Sequence, residues 1–308
     1  MRIAILGSGG VGGYFGGRLA AAGVEVAFIA RGPHLDALRT RGLTIRSPLG
    51  DLHLPTVTAT DQPAAIGPVD VVFFTVKLYD TDSALTLLPP LVNRDTVVIP
   101  FQNGVESVEA LCHVVDRERV AGGTAFVSAV ITEPGVLRHT VNDRLVFGEL
   151  DGSRSSRLER LLDACVTAKF QAKLSDQIAV DIWSKFVWLT VFSGITAVTR
   201  LPVGALRDDP DILAMCHAAG LEATAVARAK GIPLPAAVLG EMMKGFDHLP
   251  PQTKSSMLED LERGKRLELP WLSGAVIRLA EEVGLPAPTH RFITTVLKPY
   301  VNGRHRVS

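Results

Sequence analysis

The chain has 308 residues, of which 47% are hydrophobic and 21% charged, and its 32 Lys and Arg balance 32 Asp and Glu, so the formal net charge is zero. That length suggests two domains with a sizeable core, and charge neutrality leaves no basic footprint for nucleic acid. Apolar runs such as Val69 to Val76 are too short to cross a bilayer and look like buried strands. The first strand begins at Arg2, so no signal peptide is expected, and a soluble cytoplasmic protein is the expectation. Cys112, Cys165 and Cys216 are widely spaced without a CxxC pair, and the eight histidines show no HExxH-type spacing. Reduced structural thiols and no metal site follow, with structural roles expected for His139 and His290.

Arg2 to Leu6 is a short apolar strand, and Gly7-Ser8-Gly9-Gly10-Val11-Gly12 follows at once as G-x-G-x-x-G. In that setting the first glycine permits a tight turn, the second lets backbone approach a pyrophosphate, and the third lets the following helix lie close to the strand. Phosphate then meets the free N–H groups and positive dipole of a helix N-terminus. Gly23 suits the end of that helix, and Val24 to Ala30 supplies a second parallel strand. The six residues from Gly7 to Gly12 are therefore candidate dinucleotide-binding residues. An NAD site usually carries an acidic residue about 20 residues beyond the glycines, to hold the ribose 2′-hydroxyl. Arg31 stands there instead, and Glu25 lies too early to replace the acid. A guanidinium pairs with a 2′-phosphate where a carboxylate would repel it, which favours NADP(H). The other reading of Arg31 is a solvent-side cap of the strand.

The first half continues in β/α alternation. Gly32 to Arg41 reads as a helix, and Leu43 to Arg46 with Leu52 to Leu54 as a hairpin. Val71 to Val76 reads as a central parallel strand covered on both faces. Its carboxyl end carries Lys77, where open α/β sheets bind ligands; a solvated loop lysine is the alternative. Thr96 to Phe101 is the next strand and runs into Gln102-Asn103-Gly104, a turn signal that also places the Asn103 amide on the ligand edge. Val120 to Val130 and Leu145 to Leu150 add strands, Ser156 to Ala168 a helix, and Phe170 to Leu174 a last strand.

From Ser175 the apolar spacing becomes helical, punctuated by Pro202, Pro210, Pro233, Pro250, Pro251 and Pro286. The expected fold class is α/β: an N-terminal Rossmann-type dinucleotide-binding domain, residues 1–174, followed by an all-helical domain, residues 175–308. Asp176 to Phe192 is strongly apolar with Lys185 in its middle. Asp181 and Lys185 could form an ordinary i,i+4 pair on an exposed face. Alternatively Lys185 projects into a cleft between the domains, where desolvation tunes it for proton transfer. Thr253 or Ser255 suits a helix cap, and Glu268 suits a first helical turn.

Taken together, the glycine turn with Arg31, Thr75-Val76-Lys77, Gln102-Asn103-Gly104, Ile182-Trp183-Ser184-Lys185, and Ser255-Ser256-Met257 followed by Glu268 resemble the ketopantoate reductase (2-dehydropantoate 2-reductase) family nearly end to end. The resemblance implies NADPH-dependent reduction of 2-dehydropantoate to D-pantoate, a step towards pantothenate and coenzyme A. Position by position, it implies that Lys185 is the catalytic lysine that protonates the ketone oxygen, that Glu268 works beside it and orients substrate, and that Ser256 binds the substrate carboxylate. It implies that Lys77 and Asn103 lie near the nicotinamide ribose and the reacting centre, and that Gly7, Gly9, Gly12 and Arg31 belong to the NADP site. It allows a homodimer.

The chain also departs from the family pattern. Leu189 stands one turn after Lys185, Ser193 one turn further, and Ser273 shortly after Glu268, each where family members often carry asparagine. An amide offers donor and acceptor atoms; leucine offers neither. Ser193 remains a candidate substrate contact. Altered specificity groups beside a kept lysine and glutamate leave a second reading, reduction of a bulkier or more apolar 2-oxoacid, an aryl one included. A reading from another class is a redox sensor that binds NADP without turnover. Lys185 together with Glu268 argues against it.

Overall fold

The computed structural model describes residues 1–303. The chain divides into two compact units, Met1–Asp181 and a second that begins at Ile182. The change to helical spacing at Ser175 precedes that division by a few residues, because the first helix of the C-terminal half runs through it.

In the first unit, β1 (Arg2–Leu6), α1 (Gly10–Ala21), β2 (Glu25–Ile29) and α2 (Gly32–Arg41) lead into the hairpin β3 (Leu43–Arg46) and β4 (Leu52–Leu54). Then come β5 (Thr58–Thr60), β6 (Val71–Phe74), α3 (Thr81–Leu85), β7 (Val97–Pro100) and α4 (Ser107–Cys112). A long antiparallel hairpin, β8 (Ala121–Glu133) and β9 (Val136–Glu149), is followed by α5 (Ser156–Thr167) and β10 (Gln171–Leu174). One sheet runs β5-β2-β1-β6-β7 with every pairing parallel. The second runs β10-β9-β3-β4, with β8 on β9.

The first sheet is buried on both faces, as its continuous apolar strands require. Ile3, Ile5 and Phe73 enter one core cluster, and Ala4, Leu6 and Phe74 enter the other. Alternate residues of one strand point to opposite faces. Chain order reverses between β1 and β6, so the crevice beyond their carboxyl ends is the topological switch point where such sheets bind ligands. The glycine turn follows β1 and Lys77 follows β6, which puts both at that crevice.

Helix α1 lies between the two sheets because its glycines let it approach both. A Cβ on Gly16 would stand 2.8 Å from Ile5 and Phe28 of the parallel sheet, whereas one on Gly13 would stand 2.8 Å from Leu137 and one on Gly17 2.7 Å from Ile45 of the second. Bulkier residues at these positions would push the layers apart.

The C-terminal half begins with α6 (Ile178–Thr199) and continues through α7 (Val203–Arg207), α8 (Pro210–Ala229), α9 (Val238–Asp247), α10 (Ser256–Glu262), α11 (Ser273–Glu282) and α12 (Pro288–Leu297). By length and composition α6 is long and apolar enough to cross a membrane, although Asp181 and Lys185 interrupt its apolar run. Within its most apolar window 61% is buried inside the protein, so it is read as a core helix. Helix ends are closed by side chains from elsewhere: Glu222 of α8 accepts the backbone N–H of Thr289 at 2.8 Å and of His290 at 3.0 Å, and Arg207 Nη1 donates to the carbonyls of Phe246, Asp247 and Leu249.

Candidate functional site

In the first unit the glycine turn is held by its own backbone and by the side chains of Ser8, Thr75 and His34. The N–H groups of Gly7 and Ser8 both donate to Ile29 O at 3.2 Å, and Ser8 Oγ donates to the same carbonyl at 3.0 Å. Thr75 Oγ1 donates to Gly7 O at 2.8 Å. Gly7 has φ +106°, a backbone region that favours glycine, and a Cβ there would strike Val76 N at 2.6 Å. His34, half-buried on α2, bridges Ser8 O at 2.9 Å through Nε2 and the N–H of Gly135 at 3.1 Å through Nδ1. Since Nδ1 accepts, the proton sits on Nε2; burial lowers the ring's pKa and favours this neutral form.

The turn fits a dinucleotide. Gly9 is the N-cap of α1 without a side-chain cap, and the first turn of that helix holds no acidic residue. A Cβ built on Gly9 meets nothing within 4 Å, so one side of the turn is open for a phosphate to approach backbone N–H groups. Val11 packs against the core behind it. Arg31, at the end of β2, is exposed and donates from Nη2 to Asp80 Oδ2 at 2.7 Å. Lys77 follows β6, exposed, and Asn103 follows β7, half-buried.

Gln102 joins those two strand ends. Its Nε2 donates to Val76 O at 2.9 Å and to Thr81 Oγ1 at 3.0 Å, while its buried Oε1 has no hydrogen-bond partner. Its place beside Asn103 was the only sequence signal for it.

In the second unit the decisive pair is Lys185 and Glu268. Asp181 takes Lys173 at 3.1 Å and accepts a short hydrogen bond from Ser175, so its partners lie on the preceding strand end. The carboxylate acting on Lys185 is that of Glu268, buried at 7% exposure just before a single 3-10 turn, Leu269–Trp271. Burial pushes Lys185 down to about 8, and the negative charge of Glu268 opposes the shift. A half-buried ammonium beside a buried carboxylate can change charge near neutral pH, which an exposed lysine cannot.

Trp188, Leu189 and Phe192 follow Lys185 at i+3, i+4 and i+7, one face of α6. The Trp188 and Phe192 rings lie 4.9 Å apart, and Phe246 of α9 stands 6.3 Å from Trp188 and 5.9 Å from Phe192. Ser193 is fully buried and its hydroxyl donates to Leu189 O at 2.5 Å, within its own helix. Ser273 is buried as well, and its Oγ has no partner. The neighbouring serines divide: Ser255 caps α10, accepting the N–H of Leu258 at 3.1 Å and bonding Thr196 Oγ1 at 2.6 Å, while Ser256 is exposed on the first turn.

His139 bonds Ser47 Oγ and Asn142 O, and His290 bonds Ala219 O, both within the fold. Among the described residues no group of three His, Cys, Asp or Glu could hold a metal ion.

Residues 3–152 match the model for ketopantoate reductase PanE/ApbA, and residues 177–301 match that for its C-terminal domain. The chain belongs to the ketopantoate reductase family. It is therefore an oxidoreductase of the class that interconverts 2-oxoacids and 2-hydroxyacids with a nicotinamide cofactor. Curated relatives include an uncharacterized oxidoreductase, YkpB, of Bacillus subtilis strain 168, 31% identical over 97% of this chain and 99% of its own length. The 2-dehydropantoate 2-reductase of Mesorhizobium japonicum is 31% identical over 94% of each chain. Among solved structures, a ketopantoate reductase from Ralstonia eutropha JMP134 superposes with a TM-score of 0.90 at 32% identity, covering 98% of both chains.

Proposed function

We propose that the protein is an NADPH-dependent 2-dehydropantoate 2-reductase acting in the cytoplasm, with Lys185 as the proton donor. The observation that carries the reading is Lys185 beside Glu268 in a chain of this family, since a protein that only binds nucleotide needs neither. Gly7 to Gly12, Arg31, Lys77 and Asn103 would hold the dinucleotide, with Arg31 on the 2′-phosphate. Bound reduced nicotinamide supplies the hydride for C2 of the ketone. Lys185 Nζ gives its proton to the ketone oxygen as negative charge develops there, and the remaining ammonium character stabilises that charge until transfer is complete. The resulting neutral amine regains a proton from solvent. Glu268 keeps Lys185 charged at neutral pH and orients the substrate; Ser256 and Asn103 would bind it. Ser193 is fully buried and its carbonyl accepts from Thr196 Oγ1, so it stays within this reading only through a hydroxyl released from Leu189 O.

A second reading, reduction of a bulkier or aryl 2-oxoacid, is favoured by Leu189 and the Trp188, Phe192 and Phe246 rings on the lysine's side of α6. The test is loss of NADPH absorbance with 2-dehydropantoate beside aliphatic and aryl 2-oxoacids. High kcat/KM for 2-dehydropantoate alone supports the first reading; preference for another 2-oxoacid supports the second; no turnover leaves a sensor. Leu189→Asn should raise the ratio of kcat/KM for 2-dehydropantoate over an aryl 2-oxoacid by roughly tenfold or more, by restoring a donor and an acceptor.

The adjacent serines separate structure from binding. Ser255→Ala should cost about 1–2 kcal/mol in chemical denaturation, because it loses a helix cap and leaves Thr196 with one bond fewer, while KM stays unchanged. Ser256→Ala should leave the denaturation midpoint unchanged and raise KM for the 2-oxoacid. Equal effects on KM would remove Ser256 from the carboxylate site.

A further inference from the structure

Arg31 and Asp80 stand 2.7 Å apart at the switch-point edge of the parallel sheet, with side-chain exposures of 76% and 25%. So exposed an ion pair adds little to stability, and its interest lies in its position. Asp80 is the N-cap of α3, and aspartate is among the residues that cap best, yet its carboxylate makes no capping bond. It is turned to Arg31 instead. The loop that carries it is fixed: the Asp80 N–H donates to Lys77 O at 2.8 Å, Ser83 Oγ donates to Asp80 O at 2.8 Å, and Gln102 Nε2 grips Val76 O and Thr81 Oγ1 on either side. The carboxylate is thus presented on an anchored loop to Arg31 at the end of β2.

We propose that Asp80 sets the coenzyme preference of this chain: as a built-in counter-ion on Arg31 it competes with a 2′-phosphate, and it offers an acceptor to a 2′-hydroxyl, so that NADPH and NADH both bind. The inference rests on the reading that Arg31 receives the 2′-phosphate. A guanidinium has five N–H donors and can contact two anions at once, but they share a single positive charge. A phosphate arriving at Arg31 meets that charge already half satisfied and is repelled by the carboxylate behind it. A ribose hydroxyl meets neither penalty, and donating to a carboxylate is how it is held in NAD sites. The acid that β2 lacks at its end is supplied from the loop after β6.

Dissociation constants for NADPH and NADH, measured by fluorescence titration without substrate, test this on the parent, Asp80→Asn and Arg31→Ala. Asp80→Asn should melt like the parent, bind NADPH more tightly and NADH no more tightly, shifting the affinity ratio towards NADPH by about tenfold. An unchanged ratio overturns the proposal, and so does weaker NADPH binding, which would make Asp80 only an orienting partner of Arg31. Arg31→Ala tests the underlying reading separately: lost NADPH affinity with NADH affinity kept upholds it, and equal NADPH affinity in variant and parent sinks it whatever Asp80→Asn does.

Discussion

Lys185→Ala should lower kcat for 2-oxoacid reduction by roughly 10³-fold while leaving the NADPH dissociation constant within a factor of about two, because a positioned general acid contributes on that scale and the residue lies outside the dinucleotide turn. A sensor would keep its affinity and have no turnover to lose. The pH dependence has a definite sign. Burial pulls Lys185 down to about 8. Reduction requires the protonated amine, so kcat/KM should be level below about 8 and fall above it. Oxidation of the 2-hydroxyacid requires the neutral amine and should rise with pH through the same region. Glu268→Gln removes the charge that raises the lysine's pKa, so both limbs should move to lower pH. A reduction profile that stays flat through pH 9 in the parent would exclude Lys185 as the acid. The shift also bears on stability: with the folded pKa below the ordinary 10.5, the unfolded chain binds more protons between about 8 and 10.5, so this group's contribution to stability rises with pH across that window.

Gly12→Ala and Gly9→Ala should fail in different ways. A Cβ on Gly12 would stand 2.4 Å from Gly7 O and from Thr75 Oγ1 and 2.6 Å from Ile5 Cγ2, against backbone and core that cannot yield. We expect a loss of about 3 kcal/mol or more in denaturation, with NADPH binding lost alongside. Gly9 has ordinary φ −78° and open space where its Cβ would go. Gly9→Ala should therefore denature like the parent and yet bind NADPH at least about tenfold more weakly, since the added methyl occupies the face a pyrophosphate needs. Unaltered NADPH binding by Gly9→Ala would place the phosphates elsewhere.

Much of the fold was legible because it is written in local patterns. The switch from β/α alternation to helical spacing near Ser175 is a change of period, and the hairpin Leu43–Arg46 with Leu52–Leu54 is announced by its turn residues. The apolar run from Asp176 to Phe192 marks only part of a helix that extends to Thr199, where Ser193, Thr196 and Thr199 return their hydroxyls to carbonyls of their own helix and so satisfy themselves inside it.

The candidate site was legible only where a residue type in a local setting implies a task. The glycines, Arg31 at a strand end and a lysine within an apolar helix are of that kind. Whether Lys185 pairs with Asp181 or with a remote group was open in the sequence, and the fold gives Asp181 to Lys173 and Ser175 and brings up Glu268 from 83 residues away. His34 and Asp80 carried no motif, and the motifs that include Thr75 and Gln102 gave neither a task, because each acts on a partner distant in the chain, and side-chain periodicity records which face a residue occupies but not what it meets there. The sequence by itself determined the glycine-rich turn after the first strand and the two kinds of domain, and it placed a lysine within an apolar helix. Only the tertiary structure decided which charges are neighbours, since an ion pair such as Arg31 with Asp80 depends on two strand ends meeting at one edge of a sheet.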